Sequence, residues 1–585
     1  MRRGYAAVGL ARRPRPAPDK DPSRVPGRAR MIHAETAASY LSSRMPTWML
    51  QPLCAQNTNV NVSLLAVLTA ALVLAAISRR FGLATPLVLV VTGLAATAIP
   101  GLPSIEMDPD LVLFVILPPL LYTTALESSY VNLRKNVRAV ASLAVLLPLV
   151  TTVAVGFVAF YAVPELPLAG AMVLGAIVAP PDAVSATAIG RRLGLPRNIM
   201  TLLGGESLLN DATALTAYRV AIAAAIGLGA TVADGFRIFA LAAVGGVFVG
   251  FVIGKLVNII RCKLDDPLSE SAIGLVVPFF AYLLAEEIHG SGVIAVVVAG
   301  LMLGHRSVHA GYATRLQDDA VWKAVQLLLE SFAFLLIGLQ LPKVVAGLRG
   351  LSFNTIVLSS VAVLTTVIVV RIVFVFAFAY LRPPGQRPSA RGVFVVAWAG
   401  MRGVVSLAMA FAVPLSTVTG EPLPGHPHIV FLTFVVVVGT LLLHGLTLPW
   451  VIRVLGVQSD DERKDALAEA AAQDKAARAA ADRLEELLDD NDGIEDTNVR
   501  SRAAEILRHW NTRRRNAAWE RLGRSDEDAG ESPMAAFRNL RLEMLETERA
   551  VFIAERDAGN IDDEVLRTVL RGLDLEEATM NQADR

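Results

Sequence analysis

From Val60 to about Leu455 the chain runs as long apolar stretches divided by short polar or Gly/Pro breaks. Each stretch approaches the ~20 residues that cross ~30 Å of hydrocarbon as a helix. The pattern divides into about thirteen spans: 60–78, 83–100, 110–127, 138–163, 167–190, 199–226, 236–260, 270–287, 290–304, 321–341, 354–380, 392–416 and 427–453. The third and ninth are the weakest, and twelve is the alternative count. After Val457 the composition turns to Ala, Arg, Glu, Asp and Leu, with apolar residues at helical spacing and breaks near 490–497 and 523–533. That spacing predicts amphipathic helices. The expected fold class is an all-α polytopic membrane protein with a helical tail.

Charge at the breaks tests this division. Alternate connections carry Arg79 and Arg80, then Arg134, Lys135 and Arg138, then Arg191, Arg192 and Arg197. The same side continues with Lys255, Arg261 and Lys263, then Arg306 and Arg315, then Arg382, Arg387 and Arg391. The opposite connections are nearly free of Lys and Arg, apart from Arg237, Lys343 and Arg349. By the positive-inside rule the tail is cytoplasmic and the N-terminus external. The Arg/Pro/Ala-rich start conflicts with that, because ten basic residues between Arg2 and Arg44 resist translocation. Either the natural chain starts at Met31, Met45 or Met49, or the first helix is an exception to the rule. The domains expected are 1–58, disordered or wrongly included; 59–456, the membrane domain; and 457–585, the tail.

Composition narrows the function. Of 585 residues, 54% are hydrophobic and 18% charged, against about 25% charged in soluble proteins. The 54 Lys and Arg balance 53 Asp and Glu, so a nucleic-acid partner is not expected. Cys54 and Cys262 cannot build a disulfide framework or a four-thiolate zinc site. With no Walker loop or Rossmann fingerprint, neither ATP nor a bound cofactor is expected.

The chemistry is concentrated where charges enter apolar spans, at about 2.5–3.5 kcal/mol each. The sixth span holds Glu206, Asp211 and Arg219 within GGESLLNDATALTAYRV. Ser207 and Asp211 are one helical turn apart, with Glu206 and Asn210 beside them, which makes a stripe of oxygens and amides. Oxygen ligands suit a hard cation; the alternative is a structural polar cluster between helices. The fifth span is interrupted at Pro180-Pro181-Asp182, where proline removes backbone donors. Asp182 starts the second half-helix, where capping of exposed N–H groups is favoured over cation binding. The twelfth span is interrupted where Gly400 and Gly403 bracket Arg402. Two broken helices in matching places of the two halves point to an inverted-repeat transporter with its site at the midplane. Arg371 is the expected partner of Glu206, since either charge alone in low dielectric is costly. Arg402 offsets carboxylates or helix dipoles, with Glu330 as its expected partner. His289, His305 and His444 read as interfacial, and Arg219 has no assigned role.

Together these residues resemble the bacterial monovalent cation/proton antiporters related to sodium/proton exchangers, over about residues 60–455, with GGESLLNDATAL the most specific part. The resemblance implies secondary antiport of Na⁺, with K⁺ or Li⁺ as alternatives, against H⁺ in the plasma membrane. It implies Asp211 as the ion- and proton-binding carboxylate, Ser207 as a cation ligand, Asn210 as its orienting neighbour, and Glu206–Arg371 as a structural pair. The Asn-Asp pair resembles the electroneutral branch, and a homodimer is implied. Where the family often reads Thr-Asp-Pro, this chain reads Pro181-Asp182-Ala183, which removes a threonine ligand and leaves the preferred cation open. Residues 540–577 resemble a helical segment found after bacterial members. No enzyme activity is expected: a hydrolase using Ser207 and Asp211 lacks a base in that span. A cation channel would need a filter sequence, and a sensor with a cytoplasmic output would leave the buried carboxylates idle.

Overall fold

The computed structural model of the chain describes residues 65–99, 108–227, 232–264, 266–307, 310–348, 352–381, 387–457, 461–489, 497–523, 533–558, 560 and 563–582. The N-terminal segment 1–58 and its basic residues lie outside the described residues. The membrane domain opens with α1 (65–80), α2 (Thr85–Ala96) and α3 (Leu111–Glu127), whose first turns are π-helical. A short α4 (Tyr130–Lys135) leads into α5 (Val137–Ala162). The Pro180-Pro181 break divides α6 (Leu168–Val178) from α7 (Ala183–Arg192). Then follow α8 (Arg197–Ala225), α9 (Val232–Arg261), α10 (Pro267–Glu287) and α11 (Gly292–Arg306). After α12 (Tyr312–Leu339) and α13 (Leu341–Ala346) comes α14 (Phe353–Tyr380). The second break divides α15 (Ala390–Trp398) from α16 (Val404–Phe411), and α17 (His426–Leu455) ends the domain.

Six of these elements are long and apolar enough to cross a membrane: α5, α10, α14, α17, residues 237–261 of α9, and α12 with α13. Their outer faces carry exposed Leu241, Val244 and Phe248 on α9 and Phe353, Leu358 and Val361 on α14. Facing water, such surfaces would be costly at roughly 25 cal/mol per Å²; hydrocarbon removes that cost. Helix α12 begins nine residues before the predicted span, because its charged first turns continue the same helix outside the apolar window.

Local rules set the ends. Asp266 caps α10 by accepting from Leu268 N at 3.3 Å and Ser269 N at 3.0 Å. Hydrogen bonds from the Ser269 side chain and backbone hold the Asp266 carboxyl below its ordinary range. Helix α17 stops at Gly456, whose left-handed φ of 60° suits glycine.

Packing centres on α8. It places Ile199 and Leu203 in one apolar cluster, Leu208 and Ala212 in a second, and Tyr218 and Ala221 in a third. The helix that carries Glu206 and Asp211 therefore contributes to all three clusters. In the tail, α18 (Asp461–Asp489) packs on α19 (Thr497–Gly523), and α20 (Pro533–Asp557) on α21 (Asp563–Gln582). Arg541 grips Glu576 at 2.7 and 2.9 Å, and its hydrogen bonds hold that carboxyl below the ordinary range.

Candidate functional site

The two breaks meet. The amide of Asp182 donates to the carbonyl of Met401 at 2.7 Å, tying the unwound turn after α6 to the one after α15. Pro180 and Pro181 offer no amide there, so the carbonyls ending α6 need outside donors. Arg402 supplies one, with Nε to Val178 O at 2.7 Å, while its Nη1 donates to Gly400 O at 2.8 Å. Asn210 Nδ2 supplies another, to Pro181 O at 2.9 Å. Across the site Arg371 closes the end of α15, donating to Val396 O and Ala397 O at 3.1 Å each. Each broken helix thus has a guanidinium at the negative end of its first half.

Asp182 does the opposite job. Its carboxylate accepts from Val184 N at 3.1 Å and Ser185 Oγ at 3.0 Å, capping α7. It also lies against Gly403, which precedes α16, so the starts of both second halves approach the same side chain. A Cβ on Gly403 would stand 2.8 Å from Asp182 Cβ, and one on Gly400 would collide with Arg371 Cδ. Both glycines are needed for close approach as well as for interrupting the helix.

Glu206 and Arg371 form a bidentate pair at 2.5 and 2.9 Å, with side chains 2% and 3% exposed. The expected pairing of Arg402 with Glu330 does not form. Arg402 is taken up by backbone carbonyls, and Glu330 Oε1 instead accepts from Gln326 Nε2 at 2.6 Å, one turn back on α12. His444 is not interfacial either. It is 2% exposed and its ring lies 4.8 Å from that of Trp398, because α17 runs through the core rather than along its edge. Arg219, half-exposed, pairs with Glu286 of α10 at 2.7 Å.

Asp211 is buried and lines a small pocket of about 60 Å³ with Pro180, Pro181, Asp182, Ser207, Glu330 and Ser406. Ser207 and Glu330 also line a cavity of about 630 Å³ that reaches Arg79, Arg191, Arg197 and Lys323, the basic ends of the helices. At the other end of α8, Tyr218 donates to Met409 O at 3.0 Å inside a packed apolar cluster. The pocket offers carboxylate and hydroxyl oxygens, the donor set of a hard cation, and shares Ser207 and Glu330 with the larger cavity. Thr440, which accepts from the Arg402 amide at 3.0 Å, and Ser406 went unnoticed in the sequence because single hydroxyls occur throughout apolar helices.

A helical membrane domain with two crossed, interrupted helices around a buried carboxylate defines a secondary ion transporter. The chain belongs to the sodium/hydrogen exchanger family, whose transmembrane family model matches residues 67–454. It is 32% identical over 541 residues to a Mycobacterium tuberculosis protein described as an uncharacterized Na(+)/H(+) exchanger, covering 89% of this chain and 96% of that one. It is 33% identical over 381 residues to the Na(+)/H(+) antiporter ApNhaP of Aphanothece halophytica, covering 64% and 70%. A sodium, potassium, lithium and rubidium/H(+) antiporter of Bacillus pumilus is 30% identical over 381 residues, covering 62% and 57%. The fold is similar to that of the sodium proton antiporter MjNhaP1 of Methanocaldococcus jannaschii, with a TM-score of 0.54, 19% identity, and coverage of 68% and 99%.

Proposed function

We propose that the protein exchanges Na⁺, or K⁺ or Li⁺, for H⁺ across the plasma membrane by alternating access, with Asp211 as the one carboxylate that both ions use. The juxtaposition of Asp211 with Ser207 and the two helix breaks in one pocket carries this reading. Asp182 is occupied as a cap, Glu206 by Arg371 and one oxygen of Glu330 by Gln326, which supports Asp211 as the acid that exchanges its load. Asn210 next to it adds an amide rather than a second acid, so one proton rather than two returns per cation and the exchange is electroneutral. The relatives' names, Na(+)/H(+) antiporter and sodium, potassium, lithium and rubidium/H(+) antiporter, support the choice of ions.

In this scheme residues 59–456 form the transport domain with thirteen spans, and 457–585 a cytoplasmic tail, in a homodimer. The cavity at the basic helix ends is then the cytoplasmic mouth, and the structure corresponds to the inward-facing state. The test is sodium-driven proton flux in everted vesicles containing the full chain. Counterflow without a steady current is the expected result. A sustained current would overturn electroneutrality, and no flux with any alkali cation would overturn antiport.

A further inference from the structure

Two polar groups at the pocket have no part in this scheme. Glu330 is held by Gln326 through one oxygen only, and it lines both the small pocket and the large cavity, as Ser207 does. Ser406 lines the small pocket from the first turn of α16, is 1% exposed, and its hydroxyl finds no hydrogen-bond partner among the described residues. A buried hydroxyl without a partner costs about 1–3 kcal/mol. In a half-helix otherwise built from Val, Leu, Ala, Met and Phe, such a group reads as reserved for a ligand.

The space and the charges indicate which ligand. About 60 Å³ exceeds the roughly 10–15 Å³ that one water needs, which is room for a monovalent cation that keeps part of its water. Along the cavity Arg191 is matched by Glu127 at 2.7 Å and Lys323 by Asp319 at 2.7 Å, so the basic side chains there do not close it to a cation. Glu330 is the carboxyl that stands where the two spaces adjoin, on the way to Asp211.

We propose that Glu330 and Ser207, which line both spaces, and Ser406, inside the small pocket, form a second subsite for a partly dehydrated alkali cation beside Asp211, from which the ion passes to that carboxylate. The subsite rests on the antiport reading. Cation-first contact occurs at Glu330, and the Ser406 hydroxyl replaces a water as the ion turns inward.

The deciding experiment measures sodium-dependent proton flux of the full chain in proteoliposomes, with sodium on the cavity side, for the native chain, Ser406→Ala, Glu330→Gln and Glu330→Asp. Thermal unfolding without sodium is followed in parallel. If Ser406 only packs, alanine removes an unsatisfied hydroxyl and favours the helix, so neither flux nor stability falls. As a ligand, its loss raises the KM for sodium at least threefold while the unfolding temperature is unchanged or higher. Glu330→Gln raises KM about tenfold with a smaller loss of maximal rate, and Glu330→Asp lies between. Native exchange with unchanged KM in Ser406→Ala and Glu330→Gln overturns the subsite and leaves antiport standing. If Glu330→Gln does not insert, Ser406→Ala decides by the same criterion. A native chain that exchanges no ions overturns antiport and the subsite with it.

Discussion

The Nε of Arg402 donates to the carbonyl of Val178 at 2.7 Å, across 224 residues of chain. An arginine from one interrupted helix closes the open end of the other, so the crossing holds itself together through charge on backbone. Arg371 repeats the arrangement on the second helix and is itself neutralised by Glu206.

Arg402→Ala is expected to lower stability by about 2–4 kcal/mol, since it strands the Val178 and Gly400 carbonyls at roughly 1–3 kcal/mol each. Arg402→Lys should recover only part, because an ammonium lacks the planar fork that reaches both. Thermal unfolding in detergent measures this; a native-like midpoint for the alanine variant would contradict the role.

Glu206→Ala and Arg371→Ala should each cost about 3–5 kcal/mol, as each leaves a buried charge unpaired. Arg371→Ala should be the worse of the two because it also abandons the end of α15. The double variant is expected to be more stable than the sum of the singles implies. Strict additivity of the midpoints would show that the pair is not coupled.

Asp211→Asn keeps the volume of the side chain while removing its charge and its proton. Exchange should disappear with expression and unfolding temperature close to native. Appreciable vesicle exchange in this variant would move the ion site elsewhere.

Competition at one carboxylate also sets the pH dependence. As pH falls, protons hold Asp211 and the apparent KM for sodium rises; as pH rises, too few protons remain for the return step and the maximal rate falls. The rate should therefore pass through a maximum, both in the full chain and in a chain ended after Gly456. Flux from the shortened chain that no longer varies with pH would place control in the tail.

Much of this was legible in the sequence, for identifiable reasons. Apolar runs of membrane length, the Lys/Arg alternation, and the acids inside GGESLLNDATAL are signals written in consecutive residues. So are the breaks at Pro180-Pro181 and Gly400–Gly403, since proline and glycine act on their own backbone. Pairing Glu206 with Arg371 was accessible because few charges lie buried and each needs a partner. The partners of Arg402, Glu330 and His444 were not accessible. Val178 O, Gly400 O, Gln326 and the Trp398 ring are backbone carbonyls, a neighbour on the same helix, and an aromatic face. None of them carries a charge that composition could match.

By itself the sequence determined that the chain is a set of membrane helices, broken twice, with buried acids concentrated in the span that holds Glu206 and Asp211, because hydrophobic length, charge and proline act locally. Only the tertiary structure decided that the two breaks cross, that Asp182, the cap of α7, also lies against Gly403 at the start of α16, and that Ser406 and Glu330 meet at the pocket of Asp211. Those contacts join residues up to 224 positions apart, and a hydrogen bond to a carbonyl leaves no mark on the identity of the residue that offers it.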